Sequence, residues 1–195
     1  MFLLGSAAAL FLALWTAEQS TLVWFLCSAM ILVAGLPHGA YDWIIMRAQY
    51  QSLRLGVVVS AYVALVGLVI TLWLMAPQAL LALFLAYSAY HFGDSDLPNA
   101  SWLYKVSWGG AIVGLPGLVA AADVQVLFGV LTEETVAQTH IGLLGALGFV
   151  AAAIHVWIAP NRWMPALLLV VYGFVCGSAG ALLGFTCYFA LLHGP

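Results

Sequence analysis

The chain has 195 residues, of which 66% are hydrophobic and 6% are charged, whereas a soluble domain carries about 25% charged residues. Water is therefore excluded as the solvent for most of the surface, and α-helices are favoured over a membrane β-barrel because no stretch alternates polar and apolar residues. The net charge of −3, with no cluster of Lys and Arg, excludes nucleic acid as a partner.

Apolar runs predict an all-α protein, a polytopic membrane helical bundle of about seven or eight transmembrane helices that forms one domain over residues 1–195. Thr132, followed by two acidic residues, resembles a helix cap and predicts that the sixth helix begins there. In chain order the predicted helices are Phe2–Ala17, Thr21–Leu36, Leu55–Ala76, Gln78–Phe92, Leu103–Ala122 and Thr139–Ile158, followed by one long stretch, Trp163–His193.

The long stretch Trp163–His193 admits two interpretations. As one helix it would be about 46 Å long at 1.5 Å per residue, whereas the hydrocarbon core of a bilayer is about 30 Å thick. We therefore predict a break within Cys176–Gly180, its weakest helical segment. The alternative is a single tilted helix that packs through a stripe of glycines at helical spacing, namely Gly173, Gly177, Gly180 and Gly184.

The few charged residues indicate an orientation. With the predicted helices, all four basic residues fall on one side of the membrane, and the opposite loops carry acidic residues but no Lys or Arg. The positive-inside rule makes the basic side cytoplasmic and places the N-terminus there too. The basic residues are Arg47, Arg54, Lys105 and Arg162.

Histidines supply the candidate chemistry. His38, His91, His155 and His193 all lie near predicted cytoplasmic helix ends, whereas His140 begins a helix on the other side. Ionisable groups at membrane depth indicate function, and neutral imidazole binds iron, copper or zinc well. A ligating imidazole usually directs its second nitrogen to a carboxylate or carbonyl.

Asp42 and Asp96 follow His38 and His91 closely enough for each to hold a histidine from another helix. Each feature also has a plainer interpretation. A lone membrane histidine is more often a hydrogen-bonding partner than a ligand, and Asp94 is expected to be a solvated acid. Four tyrosines near the site either line a substrate pocket or pack in the core; they are Tyr41, Tyr87, Tyr90 and Tyr188.

Three ordered motifs resemble the Brp/Blh family of bacterial membrane proteins. The first is Pro37-His38-Gly39 with Asp42, the second is Tyr90-His91-Phe92-Gly93 with Asp96, and the third is Phe185-x-x-Tyr188-Phe189-x-x-x-His193. The resemblance extends from the second predicted helix to the C-terminus. It implies a β-carotene 15,15'-dioxygenase, an oxidoreductase that cleaves β-carotene at its central double bond with O₂ to give two molecules of retinal.

The resemblance also implies the cofactor and its ligands. Fe(2+), as non-haem iron, would be bound by His38, His91 and His193, which would be the catalytic metal ligands. The family pattern continues with a further histidine two residues beyond Pro195, so the sequence is expected to be a C-terminally truncated fragment. His155 is then a weak substitute for the fourth ligand. The expected location is the inner (plasma) membrane of a bacterium, with lipid around the protein and retinal passed to a microbial rhodopsin.

Two alternative functions remain open from the sequence. A transporter or channel would distribute polar residues through the depth of the membrane, whereas here they gather at one end. Another histidine-ligated membrane metalloprotein, either a di-iron desaturase or a bis-histidine haem protein, would bind a metal without cleaving carotenoid. The di-iron enzymes need repeated HxxxH or HxxHH clusters, which this sequence lacks.

Overall fold

The computed structural model describes residues 5–6, 21–49 and 55–193, and the side chains of residues 36–47 and 49 lie outside that description. The described residues form an all-α bundle of membrane type with no β-strand among them, which confirms the predicted fold class. Apart from Gly5 and Ser6, which are helical, the predicted first helix Phe2–Ala17 lies outside the described residues.

Eight α-helices and one π-helical turn follow one another through the described ranges. They are α1 (Thr21–Gln49), α2 (Leu55–Met75), α3 (Pro77–Asp96), α4 (Trp102–Val119), α5 (Ala121–Thr132), α6 (Gln138–Ile158), α7 (Trp163–Ala179), α8 (Ala181–Tyr188) and the π-helical turn Phe189–His193.

Two helices run further than the sequence predicts. Helix α1 does not end at Leu36 but continues to Gln49, and α3 does not end at Phe92 but continues to Asp96. The predicted ends, Leu36 and Phe92, lie directly before Pro37 and Gly93, residue types that stop helices in water. Within a membrane bundle, neighbouring helices satisfy the backbone groups that such residues leave open, so the helix can continue.

The sequence interpretation was wrong for the segment between the fifth and sixth predicted helices. Residues 121–132 form a separate helix, α5, which is bent by 108° relative to α4. Thr132 ends this helix and does not begin the next one, because its hydroxyl donates back to the carbonyl of Phe128 and Glu133 adopts a left-handed conformation with φ of 54°. Helix α6 begins only at Gln138.

The predicted break of the long C-terminal stretch is confirmed. Gly180 has φ of 96° and ψ of 150°, a conformation that a residue with a side chain rarely adopts, and it separates α7 from α8. The carboxylate of Asp123 accepts a hydrogen bond of 3.3 Å from the backbone N–H of Ala181. Asp123 therefore satisfies one of the amide groups exposed where α8 begins.

Helix α4 lies at the centre of the described bundle and packs tightly against α3 and α6. A Cβ atom at Gly114 would overlap the backbone of Gly148 on α6, and one at Gly109 would overlap the backbone of Ala89 on α3. Small residues that let helix backbones approach this closely are typical of membrane bundles. They fix α3, which carries His91, against α4.

A proline inside α4 is compensated by a tyrosine from α7. Pro116 has no N–H, so the carbonyl of Ile112 lacks its usual helical partner. The buried hydroxyl of Tyr172 donates to that carbonyl at 2.9 Å. The same tyrosine packs against Tyr188, with ring centroids 5.9 Å apart, and so connects α7 to the segment that carries His193.

Among the described residues, two helices are long and apolar enough to cross a membrane, namely α2 and α6. The bent pair α4 and α5 raises the number to three if it counts as one span. The eight α-helices of the described residues agree in number with the predicted seven or eight transmembrane helices, but only two or three spans meet this test. Several of the others are shorter than the roughly 20 residues that a full span needs.

Candidate active site

His91 and His193 are brought together from distant parts of the chain. His91 lies near the end of α3, and His193 ends the π-helical turn. Their ring centroids are 5.5 Å apart and their planes are inclined at 72°. The π-helical turn has a wider backbone than an α-helix, and such turns occur often at functional sites.

A buried hydrogen-bond cluster centres on Asp96. One carboxylate oxygen, Oδ1, lies 2.7 Å from Nδ1 of His193. The other, Oδ2, accepts hydrogen bonds of 2.7 Å from the indole N–H of Trp108 and from the hydroxyl of Tyr188. Three elements, α3, α4 and the C-terminal segment, therefore meet at one carboxylate.

This cluster assigns a tautomer to His193. A carboxylate can only accept, so Nδ1 of His193 carries the proton and the neutral ring has its lone pair on Nε2. Nε2 is then the nitrogen that would bind a metal. The hydrogen bond expected between Asp96 and a histidine of another helix is present, while the role of Asp96 in holding a metal ligand stays a prediction.

Aromatic rings surround the two histidines. The rings of Phe92 and Phe189 pack against His193 with centroid distances of 4.9 and 5.4 Å. Tyr87 stacks on His91 at 6.0 Å with nearly parallel planes, and 65% of Tyr87 is exposed. The two imidazoles therefore have a buried apolar wall on the side of His193 and an open aromatic surface on the side of His91.

The four tyrosines predicted for the pocket occupy different environments. Tyr87 and Tyr90 are exposed on α3. Tyr188, in contrast, is only 1% exposed, and its hydroxyl donates a hydrogen bond to Asp96. The side chain of Tyr41 lies outside the described residues. Tyr87 and Tyr90 are therefore accessible to a substrate, and Tyr188 is part of the core that supports His193.

The side chains of His38 and Asp42 also lie outside the described residues, although the backbone of both belongs to α1. Helix α1 packs against α8 and against the π-helical turn. At Gly35, one turn before His38, a Cβ atom would lie 3.9 Å from the ring of Phe189. The helix that carries His38 thus passes the segment that carries His193.

His155 is buried against α4. Its Nδ1 lies 3.1 Å from the carbonyl oxygen of Tyr104 and 3.2 Å from the hydroxyl of Ser107. Its ring stacks on Tyr104 at 4.1 Å and contacts the ring of Trp108 at 5.1 Å. Both of these polar partners belong to α4, and the role of His155 as a substitute ligand stays a prediction.

Asp94 is not simply solvated. Its carboxylate forms an ion pair of 2.7 Å with the ammonium group of Lys105, and about half of its side chain is exposed. The pair connects the end of α3 to the first turns of α4. Asp94 and Asp96 therefore both join these two helices, and Asp96 also contacts His193.

Trp108 and Ser107 are site residues that the sequence did not reveal. Trp108 lies in an apolar helix, where a tryptophan is ordinarily a core residue or an interfacial anchor. Its contacts depend on the length of α3, which had been predicted to end before Asp96. The sequence therefore carried no signal that would pair this indole with a carboxylate.

His91 and His193 meet a simple geometric requirement for binding one metal ion. Two imidazoles bound to a common metal at about 2.1 Å have ring centroids at most about 6.5 Å apart, and the observed separation is 5.5 Å. Among the described residues, no group of three or more His, Cys, Asp or Glu side chains is arranged to hold a metal. A third ligand would have to come from outside this set, where His38 lies.

A large cavity in the described part of the chain does not adjoin this pair. It is an apolar groove of about 710 Å³ between α3, α4 and α6. Ala82 and Ala89, two of the α3 residues that line it, lie about 180° and about 160° around the helix from His91 at 100° per residue. The groove and the histidine pair therefore occupy opposite faces of α3.

The fold and the site together define an all-helical protein of membrane type that brings His91 and Asp96 of α3 together with His193 of the C-terminal π-helical turn. The model of the β-carotene 15,15'-dioxygenase family matches residues 29–195. The chain belongs to this family, whose members are oxidoreductases. Searches among curated proteins and among solved structures found no match.

Proposed function

We propose that the protein is a membrane enzyme that uses non-haem Fe(2+) and O₂ to cleave β-carotene at its central double bond. The bond between the two central carbons breaks, and each carbon becomes the aldehyde carbon of one retinal. One O₂ supplies the two oxygen atoms, so the equation balances without a further reductant.

One observation carries the proposal: His91 and His193 lie within reach of a common ion, and Asp96 orients one of them. We assign His38, His91 and His193 as ligands, because the three lie in the motifs that the family resemblance rests on. Helix α1 packs beside the π-helical turn, which supports the inclusion of His38. An iron ion held by imidazoles would supply binding and activation of O₂.

The chain's own residues bind and position the polyene. Tyr87 stacks on His91 and is exposed, and Tyr90 extends the same exposed aromatic surface. A long conjugated chain lying along these rings would be held beside His91 by contacts with their faces. Because the substrate dissolves in the bilayer, it would reach this surface from the lipid, and the position of the chain along it would select the bond that is cut.

Asp96 and its neighbours keep the ligand geometry constant during turnover. The proton on Nδ1 of His193 is directed to Asp96, which holds the imidazole in one tautomer and raises its basicity. Phe92 and Phe189 exclude water from the same side of the ring. The site is thus rigid and dry around His193 and open beside His91.

The proposed location is the inner membrane of a bacterium, with several spans and a cytoplasmic N-terminus. The apolar helices and the clustering of basic residues on one predicted side support this orientation. Retinal would pass to a retinal-binding rhodopsin. Lipid would surround the exposed apolar faces of the bundle.

Expression in cells that accumulate β-carotene tests the proposal. We expect the cells to lose their carotenoid colour and to form retinal, and purified protein to contain iron. A protein that is present in the membrane but yields no retinal and binds no metal would contradict the proposal. Transport of an unmodified solute would then become the better explanation.

A further inference from the structure

Trp108 and Tyr188 converge on one oxygen of Asp96 while His193 takes the other. All three contacts are 2.7 Å long. An isolated aspartate side chain can rotate about two bonds, so a hydrogen bond from one donor does not fix the direction of its second oxygen. Because Trp108 of α4 and Tyr188 of α8 both donate to Oδ2, the orientation of the carboxylate is fixed and Oδ1 is directed at His193.

The indole of Trp108 is itself held in place. The centroid of its ring lies 5.1 Å from that of His155 on α6. The ring of His155 in turn stacks on Tyr104 of α4, and its Nδ1 lies within hydrogen-bond distance of the backbone carbonyl of Tyr104. Trp108 is 5% exposed and His155 is 1% exposed. A continuous set of contacts therefore runs from His155 through Trp108 and Asp96 to His193.

We propose that Trp108 and Tyr188 are positioning residues that orient Asp96 and, through it, fix the tautomer and direction of the His193 ring. The inference rests on the proposed function, because the orientation of His193 affects the reaction when His193 is a metal ligand. Neither residue touches the substrate or the metal in this proposal. Each acts only through the carboxylate.

Trp108→Phe and Tyr188→Phe each remove one donor and keep most of the ring. Tyr172→Phe is the matched control, because Tyr172 is as buried as Tyr188 and its hydroxyl also donates one hydrogen bond, but to the carbonyl of Ile112 and not to Asp96. All three variants lose one buried hydrogen bond. Only the first two change the surroundings of Asp96.

The readout is the ¹⁵N spectrum of metal-free protein labelled at histidine, in which the signal missing from His193→Asn identifies His193. We expect wild-type protein to show the tautomer protonated at Nδ1. Trp108→Phe and Tyr188→Phe should shift that resonance or add the tautomer protonated at Nε2, and Tyr172→Phe should leave it unchanged. A His193 signal that is the same in Trp108→Phe and in wild type would overturn the inference.

Metal binding gives a second measurement. Loss of a group that orients a ligand typically weakens metal affinity by about 10- to 100-fold, so we expect a decrease of about tenfold in Co²⁺ affinity for Trp108→Phe and none for Tyr172→Phe. Equal affinities would count against the inference. Failure of the proposed function is separate, because it would appear as a wild-type protein that forms no retinal while its His193 signal still responds to Trp108→Phe.

Discussion

The imidazole rings of His91 and His193 meet nearly at right angles, 5.5 Å between centroids, although one belongs to α3 and the other to the C-terminal π-helical turn. The turn is supported by α8, by α1 and by the aromatic rings around Phe92. A histidine pair built in this way depends on the tertiary fold and not on local sequence. Because the pair forms only in the folded protein, removing either ring leaves no neighbouring imidazole of the described residues in its place.

Replacing any one of His38, His91 or His193 by alanine should abolish retinal formation and leave the protein in the membrane. Each variant removes a proposed metal ligand, and purified protein should contain far less iron than wild type. His140→Ala is the matched control, since His140 is exposed on the first turn of α6. Normal retinal formation by His91→Ala and His193→Ala would contradict the assignment.

The two acidic residues at the end of α3 should behave differently. Asp96→Asn removes the charge that holds His193, so retinal formation and iron affinity should fall by about 10- to 100-fold. Asp94→Asn breaks only a partly exposed ion pair with Lys105, which contributes about 0 to 1 kcal/mol. Parallel assays of both variants would contradict this prediction if their activities fell equally.

The outcome for these residues shows what the sequence could predict. His91, Asp96 and His193, which belong to the second and third motifs, lie together in the structure, and their role as site residues stays a prediction. The boundaries themselves were less accurate. Pro37 and Gly93 are helix-stopping residues in water, but α1 and α3 continue through them.

The contacts of the site could not be predicted from the sequence. Trp108 reaches Asp96 because α3 and α4 approach closely at Gly93 and Gly109, where a Cβ atom would overlap the opposite backbone. That approach is a property of two helices together. A tryptophan in an apolar run has the same appearance in a sequence whether it faces lipid or a buried carboxylate.

The packing of α4 against α6 should depend on glycine at one position and not at another in the same helix. Gly148→Ala places a methyl group against the backbone of Gly114 and Leu115, so we expect a loss of about 1 to 3 kcal/mol in stability. Gly142→Ala meets no atom within 4 Å and should be neutral or slightly stabilising. Thermal unfolding in detergent measures both, and equal melting temperatures would contradict this account of the interface.

Tyr172 and Pro116 should show energetic coupling. Tyr172→Phe leaves the carbonyl of Ile112 without its donor and should cost about 1 to 3 kcal/mol. In a Pro116→Ala background the new N–H of residue 116 can bond to that carbonyl, so the same substitution should cost much less. A double-mutant cycle measures the difference, and additive effects would show that the hydroxyl does not replace the missing helical hydrogen bond.

His155 should be required for stability and not for metal binding. Its Nδ1 is engaged by Tyr104 and Ser107 on α4, and its ring stacks on that of Tyr104. His155→Asn retains an N–H donor near the position of Nδ1 but loses the ring, so we expect a lower melting temperature with unchanged iron content. Ser107→Ala serves as a control that alters the same hydrogen bonds without touching the imidazole. Loss of iron from His155→Asn but not from Ser107→Ala would instead identify His155 as the fourth ligand.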